Sequence, residues 1–187
     1  MELGKDLFFA LWFFLPAGMA NMMPVFAAFI PGLKNFDQPM DFGKEFRGKR
    51  IFGAHKTIRG LVIGVIFATL TLWLQQIAIA HNSGLASLTA QVNYQDLPLL
   101  IVGPLFGLGA LFGDAIESFF KRQVNIRPGD GWFPFDQTDY IIGGALATAP
   151  FIQLSILQYV SLLVLWLAVH VIASYIGYLI GVKQKPI

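Results

Sequence analysis

The sequence contains no cysteine, which excludes disulfide scaffolds, thiolate zinc sites and cysteine nucleophiles together. Three histidines are too few for a His-rich metal centre, and a formal charge of +2 is too small for nucleic acid to be the partner. Charge as a whole is scarce, at 13% of 187 residues against 56% apolar. Soluble domains run about a quarter charged, so a chain with half that charge, 18 Phe and 4 Trp has more apolar side chain than a water-soluble fold can bury. The expected class is an all-α integral membrane protein, a single polytopic membrane domain over residues 1–187.

A helix crosses a bilayer core of about 30 Å with roughly 20 apolar residues. Five stretches qualify, at about 7–30, 61–80, 97–120, 140–157 and 159–182. The uncharged run over 140–182 is about two crossings long; it divides near 153–158, where Gln153, Ser155 and Gln158 gather. Lys5, the apolar stretch after it and Ala17-Gly18-Met19-Ala20 also fit a signal peptide. The apolar run continues to Ile30, however, so an uncleaved first span is expected.

Lys and Arg set the orientation. Residues 31–60 hold Lys34, Lys44, Arg47, Lys49, Arg50, Lys56 and Arg59, whereas 81–96 hold none. Lys121, Arg122 and Arg127 follow the third span, and Lys183 and Lys185 lie in the tail. The N-terminus is therefore expected outside and the C-terminus in the cytoplasm of a cell membrane, with the loops at about 31–60 and 121–139 cytoplasmic. Gly103/Gly107, Gly109/Gly113 and Gly177/Gly181 have the spacing that lets helices approach closely, which fits a compact bundle and is compatible with a homodimer.

Charge inside a span marks function by default. On the third span Asp114, Ser118 and Lys121 share a face at helical spacing, with Glu117 at its border; an internal pair from Asp114 or Glu117 to Lys121 is the structural alternative. Asp136 and Asp139 share one face of the first turn of the fourth span, where they either cap the helix or meet Asp114 across a short loop. Three such carboxylates without His or Cys suit Mg²⁺, which takes one or two carboxylates, water and substrate phosphates. Lys56, Thr57 and Arg59 stand at the start of the second span, where unpaired N–H groups favour a phosphate. Asn21, between Pro16 and Pro24 in the first span, either satisfies carbonyls freed by the prolines or serves the site. His170 and His81 are read as structural or incidental.

Taken in order, Leu15-Pro16-Ala17 with Ala20-Asn21 and Pro24-Val25, Gln38-Pro39-Met40-Asp41, Gly48-Lys49-Arg50, Lys56-Thr57 with Arg59-Gly60, Gly113-Asp114 with Ser118-Phe119 and Lys121-Arg122, and Asp136-Gln137 with Asp139 resemble the archaeal CDP-archaeol synthases, relatives of the CDP-diacylglycerol synthases. The match runs nearly end to end. Ile58 departs from it, standing where an aromatic residue is expected; Pro128-Gly129 keeps the turn, and the His-Gly-Gly element of the diacylglycerol branch is missing. The resemblance implies transfer of CMP from CTP to a lipid phosphate, giving a CDP-lipid and pyrophosphate. It implies Asp114, Asp136 and Asp139 as Mg²⁺ ligands, Lys121, Arg122, Lys56 and Arg59 as phosphate clamps, Thr57 and Ser118 as hydroxyl donors, and Asn21 and Asp41 in the substrate site. A CDP-alcohol phosphotransferase would need an Asp-Gly-x-x-Ala-Arg signature, which is absent, since Asp130-Gly131 runs into Trp132-Phe133-Pro134. A lipid phosphatase lacks its catalytic His. A transporter would spread polar groups along several spans near mid-membrane, whereas here they gather at the cytoplasmic ends.

Overall fold

The computed structural model describes residues 2–28, 30–127 and 129–181. Six α-helices make up most of it: α1 (Glu2–Ala27), α2 (Ile58–His81), α3 (Ser83–Leu88), α4 (Leu99–Gln123), α5 (Phe135–Thr148) and α6 (Ile156–Leu179). Four of them, α1, α2, α4 and α6, are long and apolar enough to cross a membrane. At 1.5 Å per residue their 24 to 26 residues span at least about 36 Å.

The expected fourth span comes out differently. Helix α5 has 14 residues, about 21 Å, and it begins five residues before Tyr140 and ends at Thr148. Residues 149–155 are non-helical apart from a turn at Pro150. The chain re-enters helix at a capping box: Ser155 Oγ accepts from Gln158 N–H at 3.2 Å while Gln158 Oε1 accepts from Ser155 N–H at 2.8 Å. The polar residues expected to divide this run therefore do so by starting α6, and the break falls mostly before them, where Pro150 cannot donate to a helix. Val182, Lys183 and Lys185 lie outside the described residues, as does Pro128 of the expected turn.

Helix α2 buries one narrow stripe, as expected of a helix whose other faces meet lipid, whereas α4 is buried on two sides. On α2 the buried residues Gly60, Gly64, Ala68, Leu72 and Gln75 recur at three- and four-residue spacing. On α1 they are Phe9, Ala10, Phe13, Phe14, Ala17 and Ala20. Phe14 meets Phe106 of α4 and Trp166 of α6 edge-on, and Trp166 Nε1 donates to Ala10 O at 3.0 Å, so α1 runs through the centre. Helix α4 lies between α2 and α5. Gly103 and Gly107 abut Thr69 and Val65 of α2, while Gly109 and Gly113 abut Gly143 and Asp139 of α5. These four glycines are used inside one chain and so do not argue for a dimer.

Between α1 and α2, β1 (Glu45–Phe46) and β2 (Lys49–Arg50) form a small antiparallel hairpin. Its two loop residues, Arg47 and Gly48, both have positive φ, at 55° and 73°, the twist that a two-residue hairpin loop requires. The second connection carries α3 and a 3-10 turn (Tyr94–Asp96) at the far end of the bundle, where Gln76 Nε2 donates to Tyr94 O and Leu97 O.

Candidate active site

The carboxyl end of α4, the amino ends of α2 and α5 and the hairpin loop converge at one end of the bundle. Thr57 starts α2 as its N-cap, with Oγ1 accepting from Gly60 N–H at 3.1 Å. That cap fixes Lys56 just outside the helix, and its Nζ reaches both oxygens of Asp114 on α4 at 2.5 Å. Arg59, one residue into the helix, is buried; it pairs with Asp37 at 2.9 Å and donates to Leu33 O at 3.3 Å, while its Nε has no partner.

Asp41 holds the loop before α2. Its carboxylate, shut off from solvent, pairs with Arg50 and accepts N–H groups of Gly43, Phe52 and Gly53, each at 3.0 Å. Burial alone would raise its pKa, but Arg50 and these three amides outweigh burial and hold the group well below the ordinary carboxylate value. The same pair raises Arg50. This carboxylate is fully engaged with its own loop.

On α4, Lys121 Nζ lies 2.6 Å from Asp136 Oδ1 and 3.5 Å from Glu117 Oε1. The other oxygen of Asp136 accepts from Trp132 N–H at 2.7 Å, in the loop before α5 rather than in its first turn. Asp139, one turn further, accepts from the adjacent Tyr140 N–H at 2.5 Å. A Cβ on Gly113 would overlap Asp139 O; this close approach brings Asp139 against the end of α4.

Ligating oxygens of Asp114, Glu117 and Asp139 then lie within 4.8 Å of one another. Glu117 Oε1 is buried and makes no hydrogen bond. A buried, hydrogen-bond-free carboxylate oxygen beside two further carboxylates is a donor set suited to a hard divalent cation. The expected trio was Asp114, Asp136 and Asp139. The structure groups Glu117 with the other two and turns Asp136 toward Lys121.

Two cavities flank these groups. One, about 490 Å³, is lined by Asn21, Lys56, Thr57, Arg59 and Asp114 together with side chains of α1 and α2. The other, about 500 Å³, is lined by Lys56, Asp114, Glu117, Ser118, Lys121, Arg122, Asp136 and, from α6, His170 and Ser174. Of the residues singled out in the sequence, only Asp41 and Asp139 line neither. Glu117 was legible as the residue three after Asp114 and four before Lys121. His170 and Ser174 were legible as polar groups one turn apart in the mostly apolar second half of α6.

The CarS-like CDP-archaeol synthase family model matches residues 4–187. The CDP-archaeol synthase of Thermococcus onnurineus is 33% identical over 183 residues, 97% of this chain and 98% of the relative. That of Methanospirillum hungatei is 35% identical over 179 residues, 92% and 99% of the two chains. A solved structure described as an intramembrane enzyme for archaeal membrane lipid biosynthesis is 30% identical with a TM-score of 0.67, covering 88% of this chain and 91% of that one. With nearly the whole sequence matched and a bundle superposable on a solved relative, the chain belongs to the CDP-archaeol synthase family.

Proposed function

We propose that this chain transfers CMP from CTP to the phosphate of a membrane lipid, of the archaeal CDP-archaeol type, at the end of the bundle where α2, α4 and α5 meet. The family supports a membrane-bound cytidylyltransferase of phospholipid biosynthesis. The observation that carries the reading is the meeting of Asp114, Glu117 and Asp139 beside Lys56 and Lys121.

In the reaction an oxygen of the lipid phosphate forms a bond to the α-phosphorus of CTP, the bond from that phosphorus to the oxygen bridging toward the β-phosphate breaks, and pyrophosphate leaves. Both reactants are anions, so catalysis is mainly positioning and charge neutralisation. Lys56, Lys121, Arg122 and Arg59 supply the positive charge, with Ser118 and Thr57 as hydroxyl donors. The lipid phosphate is already ionised near neutral pH and needs no general base. Asp114, Glu117 and Asp139 would hold Mg²⁺, which supplies further neutralisation of the triphosphate when bound. Asp136 positions Lys121. The Lys and Arg distribution supports a cytoplasmic position for this end, with CTP.

The test is an assay of purified protein in detergent with radiolabelled CTP and either digeranylgeranylglyceryl phosphate or phosphatidic acid, with Mg²⁺ and with EDTA. Metal-dependent label in a CDP-lipid is the expected result, and the better of the two lipids identifies the tail. Folded protein that labels neither lipid would overturn the reading.

A further inference from the structure

Two of the motif residues, Lys49 and Phe119, take no part in cytidylyl transfer as proposed, and they meet at a cavity outside the site. This cavity, about 520 Å³, lies between the hairpin and the last turn of α4 and is lined by Phe46, Arg47, Lys49, Phe119, Phe120 and Gln123. None of these lines either of the two cavities described above. Phe46 and Lys49 are paired across the hairpin, so their side chains share one of its faces. Glu45 and Arg50, the adjacent pair, take the other face, where Arg50 is held by Asp41. The wall is therefore aromatic rings and two cations, with no carboxylate.

The cavity opens toward lipid. Phe112, Ile116 and Phe120 are exposed at four-residue spacing along α4, one stripe of the helix surface, and the stripe ends at the cavity. The 25 residues of α4 are about 38 Å long, more than a hydrocarbon core of about 30 Å. Lys121 and Arg122 in its last turn belong outside that core, which sets this end of α4 among the headgroups. Phe46 packs on Phe119 with ring centroids 5.8 Å apart. Arg47 Cζ lies 5.3 Å from the Phe46 ring centroid. Lys49 Nζ donates to Gln123 O at 2.7 Å, which occupies one of its three donors and fixes the ammonium at the helix end. Neither Arg47 nor Lys49 forms an ion pair with a described residue.

We propose that this cavity binds the headgroup of an anionic membrane lipid, separate from the lipid that reacts. Arg47 and Lys49 take the phosphate oxygens, and the rings of Phe46 and Phe120 lie against the upper part of the apolar chains. Two unpaired cations favour a headgroup of net negative charge, since a zwitterionic one would bring its own cation against them. A lipid held there fastens the hairpin to α4 and steadies the loop that carries Lys56 and Thr57. The assignment does not depend on the cytidylyl-transfer reading.

The experiment is native mass spectrometry of the purified full chain in detergent, without CTP. The probes are dioleoylphosphatidylglycerol and dioleoylphosphatidylcholine, which share their chains and differ in net charge. Both are phosphodiesters, so neither stands in for the reacting phosphomonoester. Wild-type protein should bind a phosphatidylglycerol in preference to phosphatidylcholine. Arg47→Gln should raise the Kd of that lipid about fivefold and Arg47→Gln with Lys49→Gln about 25-fold, each basic residue near a membrane surface contributing about fivefold. Lys5→Gln, at the exposed amino end of α1, should leave it unchanged. Arg47 is exposed at the hairpin tip, so its single variant reads the site even where loss of Lys49 loosens the hairpin. Phosphatidylglycerol should also slow hydrogen exchange at the Ile51 amide, which closes the base of the hairpin on Lys44 O. Equal affinity for the two lipids, unchanged affinity in the Arg47 and double variants, an equal loss in Lys5→Gln, or unchanged exchange at Ile51 would each overturn the site. Displacement of the lipid by millimolar inorganic phosphate would show an anion site without a lipid requirement and overturn the headgroup assignment.

Discussion

The proposed metal set of Asp114, Glu117 and Asp139, with Asp136 holding Lys121 instead, can be tested one residue at a time. Asp114→Asn, Glu117→Gln and Asp139→Asn should each lower turnover by about 10²-fold or more, in protein that still inserts and elutes as wild type, while raising the Mg²⁺ concentration needed for half-maximal activity. Asp136→Asn releases Lys121 instead; it should lower turnover without raising the Mg²⁺ requirement. An Asp136 variant that needs more Mg²⁺ would return that residue to the metal set. Asp41 acts on its own loop. Its pKa is held below the ordinary 3.8, so its contribution to loop stability is complete above about pH 4 and is lost only as pH falls through the lower folded value. Asp41→Asn should cost the loop about 1.5–3 kcal/mol at neutral pH, read as faster hydrogen exchange at the amides of Phe52 and Gly53. Unchanged exchange would show that the hairpin is held by other contacts.

Among the elements, the α4–α5 contact matters most to the site because it sets the distance between Asp114 and Asp139. A Cβ at Gly143 would overlap Gly109 O, and neither backbone can move without separating the helices. Gly143→Ala is therefore expected to lower thermal stability in detergent by about 1–3 kcal/mol and to reduce CDP-lipid formation. Full activity with an unchanged melting temperature would mean that the contact is loose. The sequence showed Gly109 and Gly113 by their spacing but not Gly143, and it could not assign partners, because the spacing is the same for a helix of this chain and for one of a second copy. It also divided the uncharged run over 140–182 near 153–158 rather than at Thr148, where α5 ends; hydropathy does not register a helix end when the residues beyond it are also apolar.

For the whole molecule, the cationic and carboxylate groups of the candidate site lie at one end of the bundle, and the proposed cytoplasmic position of that end, argued from the basic loops, is open to a direct test. Because the protein has no cysteine, single labels can be placed freely. Ala90→Cys, in the connection after α2, should react with a membrane-impermeant maleimide in intact cells, and Lys44→Cys, beside the hairpin, only after permeabilisation. The reverse pattern would invert the topology.

The sequence by itself determined the membrane class, the apolar runs, the family motifs and the end of each helix where charge collects, because these depend on composition and on periods along a single helix. Tertiary structure alone decided which carboxylates gather, Asp114 with Glu117 and Asp139, that Lys56 bridges to Asp114 and Arg59 to Asp37, and that Asp41 is committed to its loop. The physical reason is that such partners come from different elements, some as far apart as 58 residues in the chain. Their distances are set by how closely glycine lets α4 and α5 approach, a property of two helices together that neither helix's sequence contains.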